Sequence, residues 1–273
     1  MHALIDGDIF LYEFGSARQD SGSPLQWPFV VSRLDARINN ILEAVSATSY
    51  QIYITGPGNF RESCATIRKY KGNRPSDKPY WHAHIKDFLI YHRNAEVVEG
   101  IEADDAVGIA QYSRIKSRYF NLMGNGPNVT VYSGDTVICS RDKDLHMIPG
   151  WHYTWSAGAQ KEKPLWWQDE TEALRCFYRQ LLTGDSTDNI PGLYGVGPSS
   201  SCVKCISTLD NELDMFRTCY EEYEKRFGSY AEQFIKENAD LLWILREENV
   251  RGSKRIEDNL ESLRLHRELE QAV

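Results

Sequence analysis

Four groups of acidic residues, each following a short apolar stretch or a tight turn, constrain this 273-residue chain most strongly. The groups are Asp6 with Asp8, Glu102 with Asp104 and Asp105, Asp142 with Asp144, and Asp185 with Asp188. The apolar stretches Ala3–Ile5 and Thr136–Ser140 are typical of buried strands. In open α/β sheets, functional side chains collect at the carboxyl ends of the strands. The pattern therefore predicts an α/β fold that brings carboxylates together from distant parts of the chain.

So many carboxylates in one place would destabilise a fold through like-charge repulsion unless cations accompany them. Mg²⁺ prefers carboxylate and water oxygens, and the scarcity of His and Cys in the groups disfavours zinc. Two such ions about 4 Å apart stabilise the attacking and leaving oxygens of a phosphoryl displacement. The acids thus predict metal-assisted phosphodiester hydrolysis. Taken singly, Asp6 could instead cap a helix, and the acids from Glu102 to Asp105 could complement a helix dipole.

The stretch from Gly184 to Pro198 is unusually rich in glycine and proline, and Gly192, Gly195 and Gly197 follow its two acids. Glycine permits positive φ and lets the backbone approach a phosphate chain, or an ion held by carbonyl oxygens. A glycine-rich loop between two helices is the simpler alternative.

A basic segment follows the second predicted strand, Gln51–Thr55. Its basic residues are Arg61, Arg68, Lys69, Lys71, Arg74 and Lys78, and the aromatic residues Tyr70, Tyr80 and Trp81 accompany them. Cations interleaved with aromatic rings suit an element that grips phosphates and stacks on bases. A solvated basic loop is the alternative.

The net charge of −8 argues weakly against a nucleic-acid binder, but acids clustered to hold cations make net charge a poor guide to partners. The sequence contains no run of about 18 apolar residues, so it predicts no membrane span. Its N-terminus does not resemble a secretory signal. Of the six cysteines, only Cys202 and Cys205 form a CxxC, and no second CxxC or HxxxH motif accompanies them to complete a zinc site. A reduced, cytoplasmic setting is expected.

The order of these motifs resembles the flap endonuclease/5′-exonuclease family, especially the small bacteriophage 5′→3′ exonucleases and the nuclease domain of bacterial DNA polymerase I. The matching stretches are Asp6-Gly7-Asp8, Tyr70-Lys71-Gly72-Asn73-Arg74, Glu102-Ala103-Asp104-Asp105, Ser140-Arg141-Asp142-Lys143-Asp144 and Gly184 to Gly192, followed by Gly195 and Gly197. Each match is weak alone, whereas the ordered set is specific.

The resemblance implies a PIN-like α/β nuclease domain over residues 1–170, with a mostly parallel sheet and a helical arch or clamp. It implies a helical region over residues 171–273, packed with the first as one structural unit, with a helix–three-turn–helix at 184–207. Asp6, Glu102, Asp104 and Asp142 would serve the more buried metal, and Asp142 would be essential for catalysis. Asp105, Asp144, Asp185 and Asp188 would complete a site for two Mg²⁺ ions, which Mn²⁺ could replace.

The resemblance also implies that Lys71 and Arg74 contact the phosphate being cut, with Arg68 and Lys69 binding nucleic acid beside them. Gly192, Gly195 and Gly197 would bind duplex backbone through a K⁺ ion. The substrate would be duplex DNA with a 5′ end, nick or flap, extending to RNA–DNA hybrids. Replication proteins would be further partners, in phage DNA replication, recombination or DNA degradation.

Two departures from the family pattern stand out. Gly56 replaces an acid that usually follows the second strand, and Asp8 is a candidate substitute. Serines follow the glycine turn in place of a lysine, so Lys204 is expected to supply duplex grip. Two other functions stay open: a DNA-binding protein with a degenerate metal site, and a PIN-type ribonuclease, which should lack the helical region and its glycine turn.

Overall fold

The computed structural model describes residues 1–121 and 128–271. The strands are β1 (His2–Asp6), β2 (Ser49–Thr55), β3 (Glu96–Val98), β4 (Lys116–Asn121), β5 (Asn128–Ser133), β6 (Thr136–Cys139), β7 (Gly150–Thr154), β8 (Lys163–Gln168), β9 (Gly184–Asp185) and β10 (Ile190–Pro191). The helices are α1 (Asp8–Glu13), α2 (Trp27–Ala44), α3 (Arg61–Cys64), α4 (His82–Arg93), α5 (Ala103–Tyr112), α6 (Glu170–Thr183), α7 (Ser201–Ile206), α8 (Glu212–Phe227), α9 (Ala231–Leu242) and α10 (Gly252–Gln271).

The chain divides into two compact units. The sheet unit comprises Met1–Pro57 and Ser76–Gln168, and the helical unit comprises Gly58–Pro75 and Asp169–Val273. The basic segment is therefore split, because its first part, through Pro75, packs with the C-terminal helices.

The sheet unit is built on a six-stranded sheet of order β3-β2-β1-β6-β7-β8. Every neighbouring pair is parallel except β7 with β8, which is antiparallel. Parallel pairing places the carboxyl ends of β1, β2, β3 and β6 at one edge, where the predicted acids of this unit begin. Ile5, Ile52, Ile54 and Val137 fill the core, as apolar strands buried on both faces require. Strands β4 and β5 form a separate antiparallel pair.

The helical unit begins at Asp169, whose carboxylate caps α6 by accepting from the Glu172 N–H over 2.8 Å. Phe177, Phe216, Tyr223 and Ile235 are fully buried in its core. The last part of the unit forms α10, because Ile256, Leu260 and Leu263 recur at helical spacing and are buried.

Arg61 attaches the basic segment to the helical unit. Its side chain is buried and donates to the carbonyl oxygens of Leu241 and Trp243, at 3.0 and 2.6 Å, where α9 ends. Glu237 of α9 accepts from the N–H groups of Thr66 and Ile67, at 2.7 and 2.8 Å. Beyond α3 the segment forms turns rather than further helix as far as Pro75. Gly72 and Pro75 are poor helix formers, and Lys71 has left-handed backbone.

Among the described residues, no helix combines the length and apolar character needed to cross a membrane.

Candidate metal and nucleic-acid site

Asp6 is a buried carboxylate at the carboxyl end of β1. It accepts hydrogen bonds from the Asp8 N–H and from the Ser140 hydroxyl, both over 3.1 Å. Ser140 follows β6, the strand beside β1, and its hydroxyl oxygen also accepts from the Asp142 N–H over 3.0 Å. Ser140 thus links Asp6 to Asp142, two acids that the sequence predicted to lie at one site. Sequence reasoning had assigned no role to Ser140.

The pKa of Asp6 is raised to about 8, mainly by burial and also by the nearby carboxylates of Asp8 and Asp142. The Ser140 hydroxyl and the Asp8 N–H act in the opposite direction. A buried carboxylate facing two others favours either a proton or a cation. This all-oxygen donor set fits a hard divalent ion such as Mg²⁺. Even so, across residues 1–121 and 128–271 no three or more His, Cys, Asp and Glu side chains stand close enough together to hold a metal ion as they are.

Asp144 lies beside this group in sequence and begins a short 3₁₀ helix, Asp144–Met147. Its N–H donates to the Asp142 carboxylate over 2.8 Å, and its own carboxylate lies 3.7 Å from the Lys143 ammonium. The turn therefore orients Asp142 through backbone geometry.

The acids from Glu102 to Asp105 form the N-terminus of α5. Glu102 is the N-cap, and its N–H donates to the Asp105 carboxylate over 3.1 Å, which completes a capping box. Both side chains are buried, and Asp104 is partly exposed. The Ala103 N–H donates to the Thr55 hydroxyl over 2.9 Å, which fixes this helix to the end of β2. Capping therefore accounts for two of these acids structurally.

Asp8 reaches the end of β2 from the first turn of α1. Its carboxylate accepts from the Thr55 N–H over 3.1 Å. The next residue, Gly56, has no room for a side chain, since a Cβ there would lie 2.4 Å from the Val98 carbonyl oxygen. An acid at position 56 is therefore excluded by packing, and Asp8 supplies a carboxylate at that strand end. In the sequence, the Asp6-Gly7-Asp8 pattern had indicated Asp8 as a candidate for this role.

Asp185 and Asp188 lie in a tight hairpin formed by β9 and β10, not in a helix. Asp185 is buried and accepts from the Thr187 N–H over 2.7 Å and the Gln180 amide over 3.2 Å. Asp188 accepts from the Tyr70 hydroxyl over 3.1 Å and pairs with Lys71 and Arg74. Lys71 and Arg74, which the sequence predicted to contact the phosphate, thus pair with Asp188, which it predicted to bind metal. Arg68 and Lys69 are exposed.

The glycine turn between α6 and α7 is anchored at Leu193, which is buried and whose N–H donates to the Leu182 carbonyl over 2.8 Å. Gly195 has a φ of +76°, and the adjacent Tyr194 is 97% exposed. The Gly197 N–H donates to the Ser200 hydroxyl over 3.0 Å, so a serine that follows the glycines holds the turn.

Close packing requires Gly192, because a Cβ there would lie 2.1 Å from the Thr183 carbonyl carbon. Lys204 is exposed on α7. The predicted turn is therefore present between two helices and presents polar backbone and one aromatic side chain to solvent.

The six-stranded sheet and its helices form a PIN-like nuclease fold, as the sequence predicted. The bacteriophage T5 5′-exonuclease with bound zinc ions has a similar fold. The similarity covers 89% of this chain and 100% of that chain, at 16% identity and a TM-score of 0.50. T5 D15 protein crystallised with metal ions is also similar, over 89% of this chain and 99% of that chain, at 16% identity and a TM-score of 0.48. The catalytic core of Rad2 in complex with a DNA substrate is similar over 92% of this chain and 79% of that chain, at 14% identity and a TM-score of 0.47.

The fold assignment rests on the first of these structures, and the resemblance to the flap endonuclease/5′-exonuclease family is confirmed at the level of the fold. No family model and no curated protein matches the chain.

Proposed function

We propose that the protein is a divalent-metal-dependent nuclease that acts on DNA, as a 5′→3′ exonuclease and flap endonuclease. One observation carries this proposal: Asp6, Asp8 and Asp142 converge at the carboxyl end of a parallel sheet, with Ser140 joining two of them. The fold is shared with an exonuclease that binds zinc ions, which supports a divalent-ion site. The DNA substrate bound by Rad2 belongs to that protein and suggests the substrate class to test here.

Two Mg²⁺ ions are proposed, replaceable by Mn²⁺. Asp6, Glu102, Asp104 and Asp142 would hold one ion. The proposed remaining ligands are Asp105, Asp144, Asp185 and Asp188. When bound, the ions would polarise water and neutralise charge on the scissile phosphate.

The chain's own residues would orient the reaction. Ser140 holds Asp6 and Asp142 in fixed positions through its hydroxyl. Lys71 and Arg74 would contact the phosphate being cut, because two fixed cations stabilise charge developing there. Arg68 and Lys69 would add electrostatic attraction to the backbone.

Duplex DNA is proposed to bind at the glycine turn. Gly192, Gly195 and Gly197 let the backbone approach phosphates or a K⁺ ion, and Lys204 adds a cation close by in sequence. RNA in RNA–DNA hybrids is a further proposed substrate. A role in phage replication, with replication proteins as partners, also stays a proposal. The division into domains at residues 1–170 and 171–273 is likewise a proposal.

A direct assay tests the proposal. The protein is incubated with 5′-labelled flap DNA, nicked duplex and single-stranded RNA, with Mg²⁺ or with EDTA. Mg²⁺-dependent release of short 5′ products from the DNA substrates is expected. Cutting of single-stranded RNA alone would indicate a PIN-type ribonuclease. Binding of flap DNA without any cleavage would indicate a DNA-binding protein with a degenerate metal site.

A further inference from the structure

The basic segment contacts the hairpin at residues 185–189 through both backbone and side chains. The Lys71 N–H donates to the Asp188 carbonyl oxygen over 2.9 Å. The Asn73 amide donates to the Ser186 carbonyl over 2.7 Å, and the Asn189 amide donates to the Lys69 carbonyl over 2.9 Å. These contacts fix the path of the segment, which donates in two of them and accepts in the third.

The Asp188 carboxylate lies at the centre of this junction. One oxygen accepts from the Tyr70 hydroxyl over 3.1 Å and lies 3.8 Å from the Lys71 ammonium, and the other accepts from Arg74. The Asp188 side chain is only 15% exposed, compared with 43% for Arg74. A carboxylate partly shielded from water interacts more strongly with its cations than an exposed one does.

Backbone strain at both sides of the junction points the same way. Lys71 and Asn189 have φ values of +52° and +60°, in the left-handed region that side chains other than glycine seldom adopt. Such conformations persist where surrounding contacts impose them, and they concentrate at functional sites. Asn tolerates this region, whereas Lys has no intrinsic preference for it. The contacts made by Lys71 with Asp188 therefore hold a strained lysine in one orientation.

We propose that Asp188 is a positioning residue for the basic segment, in addition to its proposed place among the metal ligands. Its carboxylate holds Lys71 and Arg74 in the orientation from which they meet a DNA phosphate. The use made of the two cations rests on the proposed function. The docking of the segment does not, because it involves only residues of the helical unit and needs neither DNA nor metal.

Limited trypsin digestion in EDTA, without DNA, tests the docking. Trypsin can cut after Arg68, Lys69 and Lys71, whereas the bond after Arg74 is resistant because Pro75 follows it. Asp188→Asn keeps the size of the side chain and removes its charge. We expect cleavage after Lys69 and Lys71 to be roughly tenfold faster than in the wild type, since cleavage follows the population of the undocked segment.

Asp210→Asn is the matched control, because Asp210 belongs to the same unit and also pairs with an arginine, Arg175. Its cleavage rate at the two lysines should equal that of the wild type. Arg74→Gln removes the partner from the other side without altering the tryptic sites, and it should accelerate cleavage as Asp188→Asn does. The double variant should be cut no faster than the faster single variant, as expected for two residues in one interaction.

Ionic strength separates positioning by charge from a purely steric role. Added KCl should accelerate cleavage of the wild type and leave Asp188→Asn nearly unchanged, because screening weakens only the ion pairs. Wild-type rates in both Asp188→Asn and Arg74→Gln would overturn the inference. If the protein cuts no DNA but its segment is protected from trypsin in this way, the proposed function is wrong and the docking inference stands. If the protein cuts DNA but its segment is not protected, the docking inference is wrong and the proposed function stands.

Discussion

The N–H of Thr55 donates a hydrogen bond to the Asp8 carboxylate over 3.1 Å, across a sequence separation of 47 residues. This contact places an acid from α1 at the carboxyl end of β2. It also explains how the sheet edge can carry a carboxylate there although position 56 is glycine.

Replacing Asp8 with Asn should separate stability from metal binding. Asn retains an oxygen that accepts from Thr55 and removes a negative charge beside the buried Asp6. Without divalent ions at pH 7, the free energy of unfolding should rise by up to about 1 kcal/mol, because like-charge repulsion is relieved. Urea denaturation measures this change. The affinity for Mn²⁺, measured by electron paramagnetic resonance, should fall. Lower stability with unchanged Mn²⁺ affinity would argue against a shared role for Asp8 and Asp6.

Gly56→Ala should destabilise the sheet unit by about 1–3 kcal/mol, because the added methyl group would overlap the Val98 carbonyl. Urea denaturation at pH 7 measures the change. Gly197→Ala is the control, since nothing lies within 4 Å of a Cβ there and its φ is not positive. That variant should be neutral or slightly stabilised. Equal stabilities for the two variants would show that Gly56 is not required by packing.

His152 should make stability depend on pH. Its pKa is lowered from 6.5 to about 3, mainly by burial and also by the nearby His146 and Lys163, against a hydrogen bond to the Ile148 carbonyl. Between pH 6.5 and about 3, His152 therefore binds a proton in the unfolded chain but stays neutral in the folded chain. The associated stability is present above pH 6.5 and is lost as the pH falls towards 3.

The variant His152→Gln lacks this proton-linked loss. Whatever it costs at pH 7, its deficit relative to the wild type should shrink by about 2 kcal/mol on going to pH 4.5. Urea denaturation at both pH values measures the difference. A constant deficit would mean that His152 titrates alike in the folded and unfolded chains.

Lys204→Ala should weaken duplex binding and lower its salt dependence. Removing one phosphate contact reduces the slope of log affinity against log salt by about 0.9. Fluorescence anisotropy with a labelled duplex in EDTA, over a series of KCl concentrations, measures both quantities. Lys225→Ala is the control, since Lys225 is an exposed lysine of the same unit that pairs with Glu222. Identical slopes for the two variants would place the duplex away from α7.

Local patterns made part of the site predictable. An apolar stretch followed by an acid identified the ends of β1 and β6, and parallel pairing then brought Asp6 and Asp142 together. The closely spaced glycines predicted the turn between α6 and α7. Glycine is required at position 192 because the backbone of a nearby residue leaves no room for a side chain there.

Contacts between distant residues were not predictable in the same way. Arg61 was grouped with the phosphate-binding cations, yet it is buried against the end of α9, some 180 residues away in sequence. The pairing of Arg74 with Asp188 likewise depends on tertiary packing. A basic residue in sequence looks the same whether it faces solvent, a carboxylate or a row of carbonyl oxygens.

Single-turnover cleavage of 5′-labelled flap DNA by the wild type and by Asp142→Asn tests the proposed function most directly. Asn preserves the size of the side chain and removes the charge that would hold a divalent ion. Cleavage in Mg²⁺ should fall at least about a hundredfold, while flap affinity measured in Ca²⁺ should change little. Near-wild-type cleavage by Asp142→Asn would show that the carboxylates grouped around Asp6 are not the catalytic site.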